Sequence, residues 1–170
     1  MRVPRGQSTF SSLLKEKETA CNFQVIMGRL PLNKLLIAFD GSDQSYRAFD
    51  FALQMYRVCG ESPEITVLSV AEPPEPSGII KGDSFLDSAN KLYEHLFKGL
   101  REKASKANLE IKTGVIVGHA AHEIIKYAAE RKIDIIIVGQ RGRSKVAKWL
   151  LGSVSKRIAT HAPCTVAIVK

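Results

Sequence analysis

Ile133-Asp134-Ile135-Ile136-Ile137-Val138-Gly139-Gln140-Arg141-Gly142, nine residues, then Gly152-Ser153-Val154-Ser155: this stretch holds a strand, a glycine turn and the start of a helix. Ile133 to Val138 is an apolar run too short for a helix of its own and reads as a buried strand. Gly139 and Gly142 follow it, and Ser153 to Thr160 has helical character with Gly152 just before it. Glycines at such a turn let backbone N–H groups approach an anion without an intervening Cβ, and the helix dipole adds partial positive charge. Two readings of the glycines stay open on chemistry alone: an anion or nucleotide site, or a plain strand-turn-helix in which glycine ends the strand and caps the helix. Charge favours the first. From Gly139 to Lys170 there are seven Lys or Arg (Arg141, Arg143, Lys145, Lys148, Lys156, Arg157, Lys170) and no Asp or Glu.

Working outward, the chain alternates strand and helix from Asn33 onward. Leu35 to Phe39 is an apolar run closed by Asp40-Gly41-Ser42, a strand leading into a turn and a helix cap. Ser45 to Val58 carries Ala48, Phe49, Ala52, Leu53, Met55 and Tyr56 at helical spacing. Ile65 to Val70 is the second strand, followed by a proline-broken loop from Glu72 to Lys81. A helix from Asp83 to Lys106 presents Leu86, Ala89, Tyr93, Leu96 and Leu100 along one face. Ile111 to Val117, a helix from His119 to Arg131 with Ile124, Ile125, Ala128 and Ala129 inward, and a last strand from Thr165 to Val169 complete the pattern. Near-continuous apolar strands separated by helices imply a parallel sheet covered on both faces, and right-handed crossovers make it an open, doubly wound α/β sheet.

Composition narrows the function classes. A chain of 170 residues with 45% hydrophobic and 25% charged residues has the makeup of a single soluble globular domain. No run approaches the roughly 18 apolar residues of a membrane span. Cys21, Cys59 and Cys164 are scattered, odd in number and free of CxxC spacing, which fits free thiols in a reducing cytoplasm. The net charge of +8 is uneven: Met1 to Lys34 carries +4, Leu35 to Val138 carries −3, and the rest carries +7. With no helix-turn-helix, zinc-finger or RNP pattern, nucleic acid is not the expected partner. Residues 1–33 are polar, lack a sustained apolar period and are expected to be a flexible extension of a domain spanning 34–170; Met27 is a second candidate start.

The spacing is neither a Walker A loop, since no Gly-Lys-Ser/Thr follows, nor a dinucleotide fingerprint, which belongs after the first strand. Gly-x2-Gly-x9-Gly-Ser resembles instead the nucleotide-binding signature of the universal stress protein family. The resemblance runs from Leu35-Leu36-Ile37-Ala38-Phe39-Asp40-Gly41-Ser42 to His161-Ala162-Pro163-Cys164-Thr165-Val166-Ala167-Ile168-Val169, about four-fifths of the chain. Together with the fold class it implies strand order 3-2-1-4-5, a Rossmann-like three-layer sandwich, and a crevice between strands one and four. It further implies a nucleoside end at Ala38, Phe39 and Asp40, apolar packing on the base by Val70 and Val138, and phosphates at Gly139, Arg141, Gly142 and Gly152 to Ser155.

On that resemblance the ligand is ATP, with magnesium brought by its phosphates, and the protein is a cytoplasmic, homodimeric stress-response regulator pairing through Thr165 to Val169. Each residue also has a plainer role. Asp40 would start an Asp-Gly turn, Ser153 would cap a helix, and Val70 and Val138 would be strand core. No Asp, Glu or His lies in the glycine loop and no third ligand joins His119 and His122, so slow turnover at most is expected. A partner-binding dimer with an incidental nucleotide site, and an adenylate-cleaving enzyme by fold analogy, are the alternatives.

Overall fold

Alternation of side chains along a strand sends odd and even residues to opposite faces, so a strand covered on both sides must be apolar throughout. The first strand, β1 (Lys34–Ala38), behaves this way. Leu35, Ile37 and the following Phe39 belong to one core cluster, and Leu36 and Ala38 to another on the opposite face. β4 (Ile135–Gly139) repeats the pattern, with Ile135 and Ile137 on the first face and Ile136 and Val138 on the second. The computed structural model describes residues 32–59, 63–73, 82–143 and 150–170, with side chains left aside at 58, 59 and 82–86. The expected N-terminal extension up to residue 31, the proline-broken loop beyond Pro73, and Lys145 and Lys148 lie outside these residues.

The remaining elements are α1 (Asp43–Cys59), β2 (Glu64–Ala71), α2 (Gly82–Ser105), β3 (Ile111–Val117), α3 (Ala120–Arg131), α4 (Ser153–His161) and β5 (Thr165–Val169). The strands form one five-stranded sheet in the order β3-β2-β1-β4-β5, every pair parallel, as the sequence pattern and the resemblance implied. In register, Ala38 pairs with both Leu68 and Val138, so β1 and β4 end within a residue of each other while β2 runs three residues further, to Ala71. Helices α1 and α2 supply Ala48, Phe49, Ala52, Tyr93, Phe97 and Leu100 to the first core, while α3 and α4 supply Ala121, Ile124, Ala128 and Ile158 to the second. No helix among the described residues is long and apolar enough to cross a membrane.

Three local expectations shift. β4 begins at Ile135 rather than Ile133, because Lys132 adopts a left-handed conformation (φ 52°, ψ 55°) that ends α3, and the Ile133 N–H donates back to the Ala128 carbonyl at 3.0 Å. Ala129 is exposed rather than inward; Ala121, Ile124 and Ala128 make the buried stripe. On α2, Phe97 joins the buried face, whereas Leu92, one residue before Tyr93, is 59% exposed.

Candidate functional site

The parallel sheet delivers the carboxyl ends of β1 and β4 side by side, and each runs into a turn held by its own hydrogen bonds. After β1, Gly41 has φ +81°, a conformation that L side chains rarely adopt. The Asp40 carboxylate stabilises this turn: its Oδ1 accepts the Ser42 N–H at 3.0 Å and the Ser42 hydroxyl at 2.6 Å. Ser42 Oγ in turn accepts the Ser45 N–H at 3.3 Å and caps α1. The turn role foreseen for Asp40 is therefore real, and the carboxylate also reaches further: its Oδ2 accepts the backbone N–H of Arg143 at 3.1 Å.

After β4 the chain leaves through Gly139 and returns at Gly152. The Gln140 N–H donates to the Val169 carbonyl at 2.6 Å, and the Gln140 carbonyl accepts the Gly152 N–H at 2.9 Å, so one residue ties both limbs of the loop together. The Ser155 hydroxyl, fully enclosed, donates to the Gly139 carbonyl at 2.7 Å. Ser155→Ala strands that buried carbonyl and is expected to cost about 1–3 kcal/mol, read as a drop in the urea midpoint. A loss below about 0.5 kcal/mol would mean water replaces the hydroxyl there.

The glycines have internal reasons to be glycine. A Cβ on Gly139 would lie 2.7 Å from Gln44 Cβ and 2.8 Å from its carbonyl carbon. One on Gly142 would overlap Asp40 Oδ2, and one on Gly152 would sit 3.3 Å from Arg141 Cα. Gly152 does not offer its N–H to a ligand, because Gln140 already holds it; its contribution is closeness. The N–H groups of Ser153, Val154 and Ser155 are different. They open α4, and the N-cap Gly152 (φ −61°, ψ 151°) has no side chain to accept from them.

A cleft of about 560 Å³ lies above these turns, and it brings together the residues that the resemblance assigned to a nucleotide: Ala38, Phe39, Asp40, Val70, Val138, Gly139, Arg141, Gly142, Gly152, Ser153, Val154 and Ser155. Two walls were not foreseen. Ser88, Ala89, Leu92 and Tyr93 of α2 close one side, and Glu72, Ala120 and Ile124 another. The sequence signal for the first was a tyrosine within an otherwise aliphatic helical stripe. Tyr93 stacks on Phe97 with ring centroids 6.0 Å apart, and Phe97 meets Phe39 at 6.3 Å. Burial pushes the Tyr93 hydroxyl above its ordinary range.

The N-termini of α3 and α4 both line the cleft and differ in electrostatics. At α3 the N-cap His119 makes no side-chain bond, and Glu72 Oε1 accepts the Ala120 N–H at 3.0 Å, so the protein supplies its own carboxylate. At α4 the cap is glycine and the first turn holds no acid. Among the described residues no group of three His, Cys, Asp or Glu could hold a metal ion. Cys164 is half-buried at the start of β5, where burial raises its thiol above the ordinary range.

Against known proteins, the profile described as "Universal stress protein family" matches residues 31–170. The universal stress protein YxiE of Bacillus subtilis is 31% identical over 148 residues, spanning 81% of this chain and 99% of that protein. Among solved structures, the universal stress protein UspA from Lactobacillus plantarum superposes with TM-score 0.70 at 22% identity, over 82% of this chain and 98% of its own. A universal stress protein solved in complex with cAMP gives TM-score 0.62 at 26% identity, over 81% and 97%. With the profile spanning most of its length and the same sheet order underneath, the chain belongs to the universal stress protein family.

Proposed function

We propose that this protein is an adenine-nucleotide-binding regulator that takes ATP, with magnesium carried on the phosphates, and turns it over slowly at most. The observation that carries the reading is the contrast between the two helix ends at one cleft. Glu72 neutralises α3, while α4 opens on Gly152 with no acid in its first turn. In this reading the base lies against Val70 and Val138, the nucleoside end against Ala38, Phe39 and Asp40. The phosphates meet Gly142 and the N–H groups of Ser153, Val154 and Ser155, with Arg141 and Arg143 adding charge. The cAMP held by a related structure supports an adenine nucleotide. Among the described residues the donor set offers magnesium no cage of its own, so phosphate oxygens would hold it. Slow turnover is supported by the two carboxylates that line the cleft among the described residues, Asp40 and Glu72, both of which already accept backbone N–H groups.

The test is the melting temperature of the purified protein with and without millimolar Mg·ATP, with GTP as comparison. Saturation at 100 times the dissociation constant adds about 2.7 kcal/mol, a shift of several degrees. No shift with either nucleotide, once co-purified ligand is excluded, removes the reading.

The same regulator would act in the cytoplasm as a homodimer through β5. That edge strand is only half covered, with Ile168 37% exposed, and an open edge invites pairing with another chain. Val166→Lys is expected to give monomers by light scattering; an unchanged dimer would move the interface elsewhere. If dimers persist while nucleotide has no effect, partner binding becomes the better account of the protein.

A further inference from the structure

We infer that Asp40 serves a phosphate-bearing ligand chiefly as a positioning residue, a clasp that holds the glycine loop against the end of β1. The inference rests on the nucleotide reading above but concerns how the site is built. Two independent observations carry it. First, the carboxylate already has three donors of the protein's own: the Ser42 N–H and hydroxyl on Oδ1, and the Arg143 N–H on Oδ2. A carboxylate has about four acceptor directions, so at most one remains for a ligand. Second, the loop passes so close that a Cβ at Gly142 would overlap Oδ2. Contact between loop and carboxylate is thus part of the fold, and glycine is what permits it.

The mechanical consequence follows from where the loop is tied. Gln140 and Gly152 anchor its root through the Gln140 carbonyl. Beyond that root, the Arg143 N–H to Asp40 is a bond that joins this limb to a turn about 100 residues earlier in the chain. Because Ser42 also caps α1, the clasp couples the first turn of α1 to the loop. Residues 141–143 and the first turn of α4 line the same cleft, so their mutual spacing decides how well they surround an anion.

Asp40→Asn separates this role from a direct contact with the ribose. The carboxamide presents donors on one side, so it cannot accept from both Ser42 and Arg143. With the full chain, isothermal titration is expected to show ATP affinity falling about tenfold and adenosine affinity falling by a clearly smaller factor, about threefold. Gly142→Ala, which displaces the same carboxylate from the loop side, is expected to give the same pattern with Asp40 intact. In the ligand-free protein, amide exchange at Arg143 is expected to be protected and to accelerate in Asp40→Asn. Equal loss of ATP and adenosine in that variant, or an Arg143 amide that exchanges as freely as an open loop in the unsubstituted protein, overturns the clasp. If the unsubstituted protein binds neither compound, the nucleotide reading fails, and the Arg143 exchange still decides the clasp.

Discussion

Phe49→Ala is expected to lower the free energy of unfolding by about 3–5 kcal/mol, the largest effect of any single truncation considered. Phe49 is fully buried on α1, in the cluster that contains Leu35, Ile37, Ile135 and Ile137 of the two central strands. Its removal leaves a cavity beneath the helix whose first turn also shapes the cleft, and the sheet on the other side has no freedom to fill it. Against a typical domain stability of about 5–15 kcal/mol, that loss is a large fraction of the whole. The control lies two residues away: Phe51 is 37% exposed, and its truncation is expected to cost less than about 1 kcal/mol. Urea denaturation should show a lower midpoint for Phe49→Ala with an unchanged slope. Equal losses in the two variants would mean that α1 does not pack as described.

Gly139→Ala is expected to cost about 1–3 kcal/mol, and its physical origin is overpacking. The added methyl would meet both Cβ and backbone of Gln44, so either the first turn of α1 or the end of β4 must move. Backbone cannot rotate aside as the tip of a long side chain can. Gly99 on α2 gives the opposite sign, because nothing lies within 4 Å of a Cβ there. In mid-helix Gly99→Ala is expected to stabilise by about 0.5–1 kcal/mol. Thermal melts of the two variants should diverge on either side of the parent; a neutral Gly139→Ala would mean that α1 sits less tightly on β4. The pair also warns against reading every glycine of this loop through a ligand. A loss of nucleotide binding in Gly139→Ala would report a displaced α1 before it reported anything about phosphate.

Much of the candidate site was legible because its parts are contiguous in the chain or lie at strand ends. Asp40, Gly139 and Gly142 follow apolar runs, and a parallel sheet brings the ends of its central strands together whatever the side chains are. The α2 wall was not legible in the same way. Ala89 and Tyr93 satisfy the helical stripe of a core helix, and periodicity does not distinguish a side chain packed on the sheet from one that also borders a cleft above it. Glu72 was hidden for a different reason: its role depends on the N-terminus of α3, 48 residues away, which has no side-chain cap of its own.

The sequence by itself determined the alternation of strand and helix, the burial of both faces of β1 and β4, and the glycines flanking the loop, because these depend on local period and on residue type. Family resemblance and fold class added the strand order. Only the tertiary structure decided what each glycine stands against, that Gly152 gives its N–H to Gln140 while α4 opens uncapped by any side chain, and that Asp40 bonds to the Arg143 amide. Those are pairings between residues far apart in the chain. A hydrogen bond of about 3 Å exists only when packing has set both partners in place, and no pattern along one dimension encodes that distance.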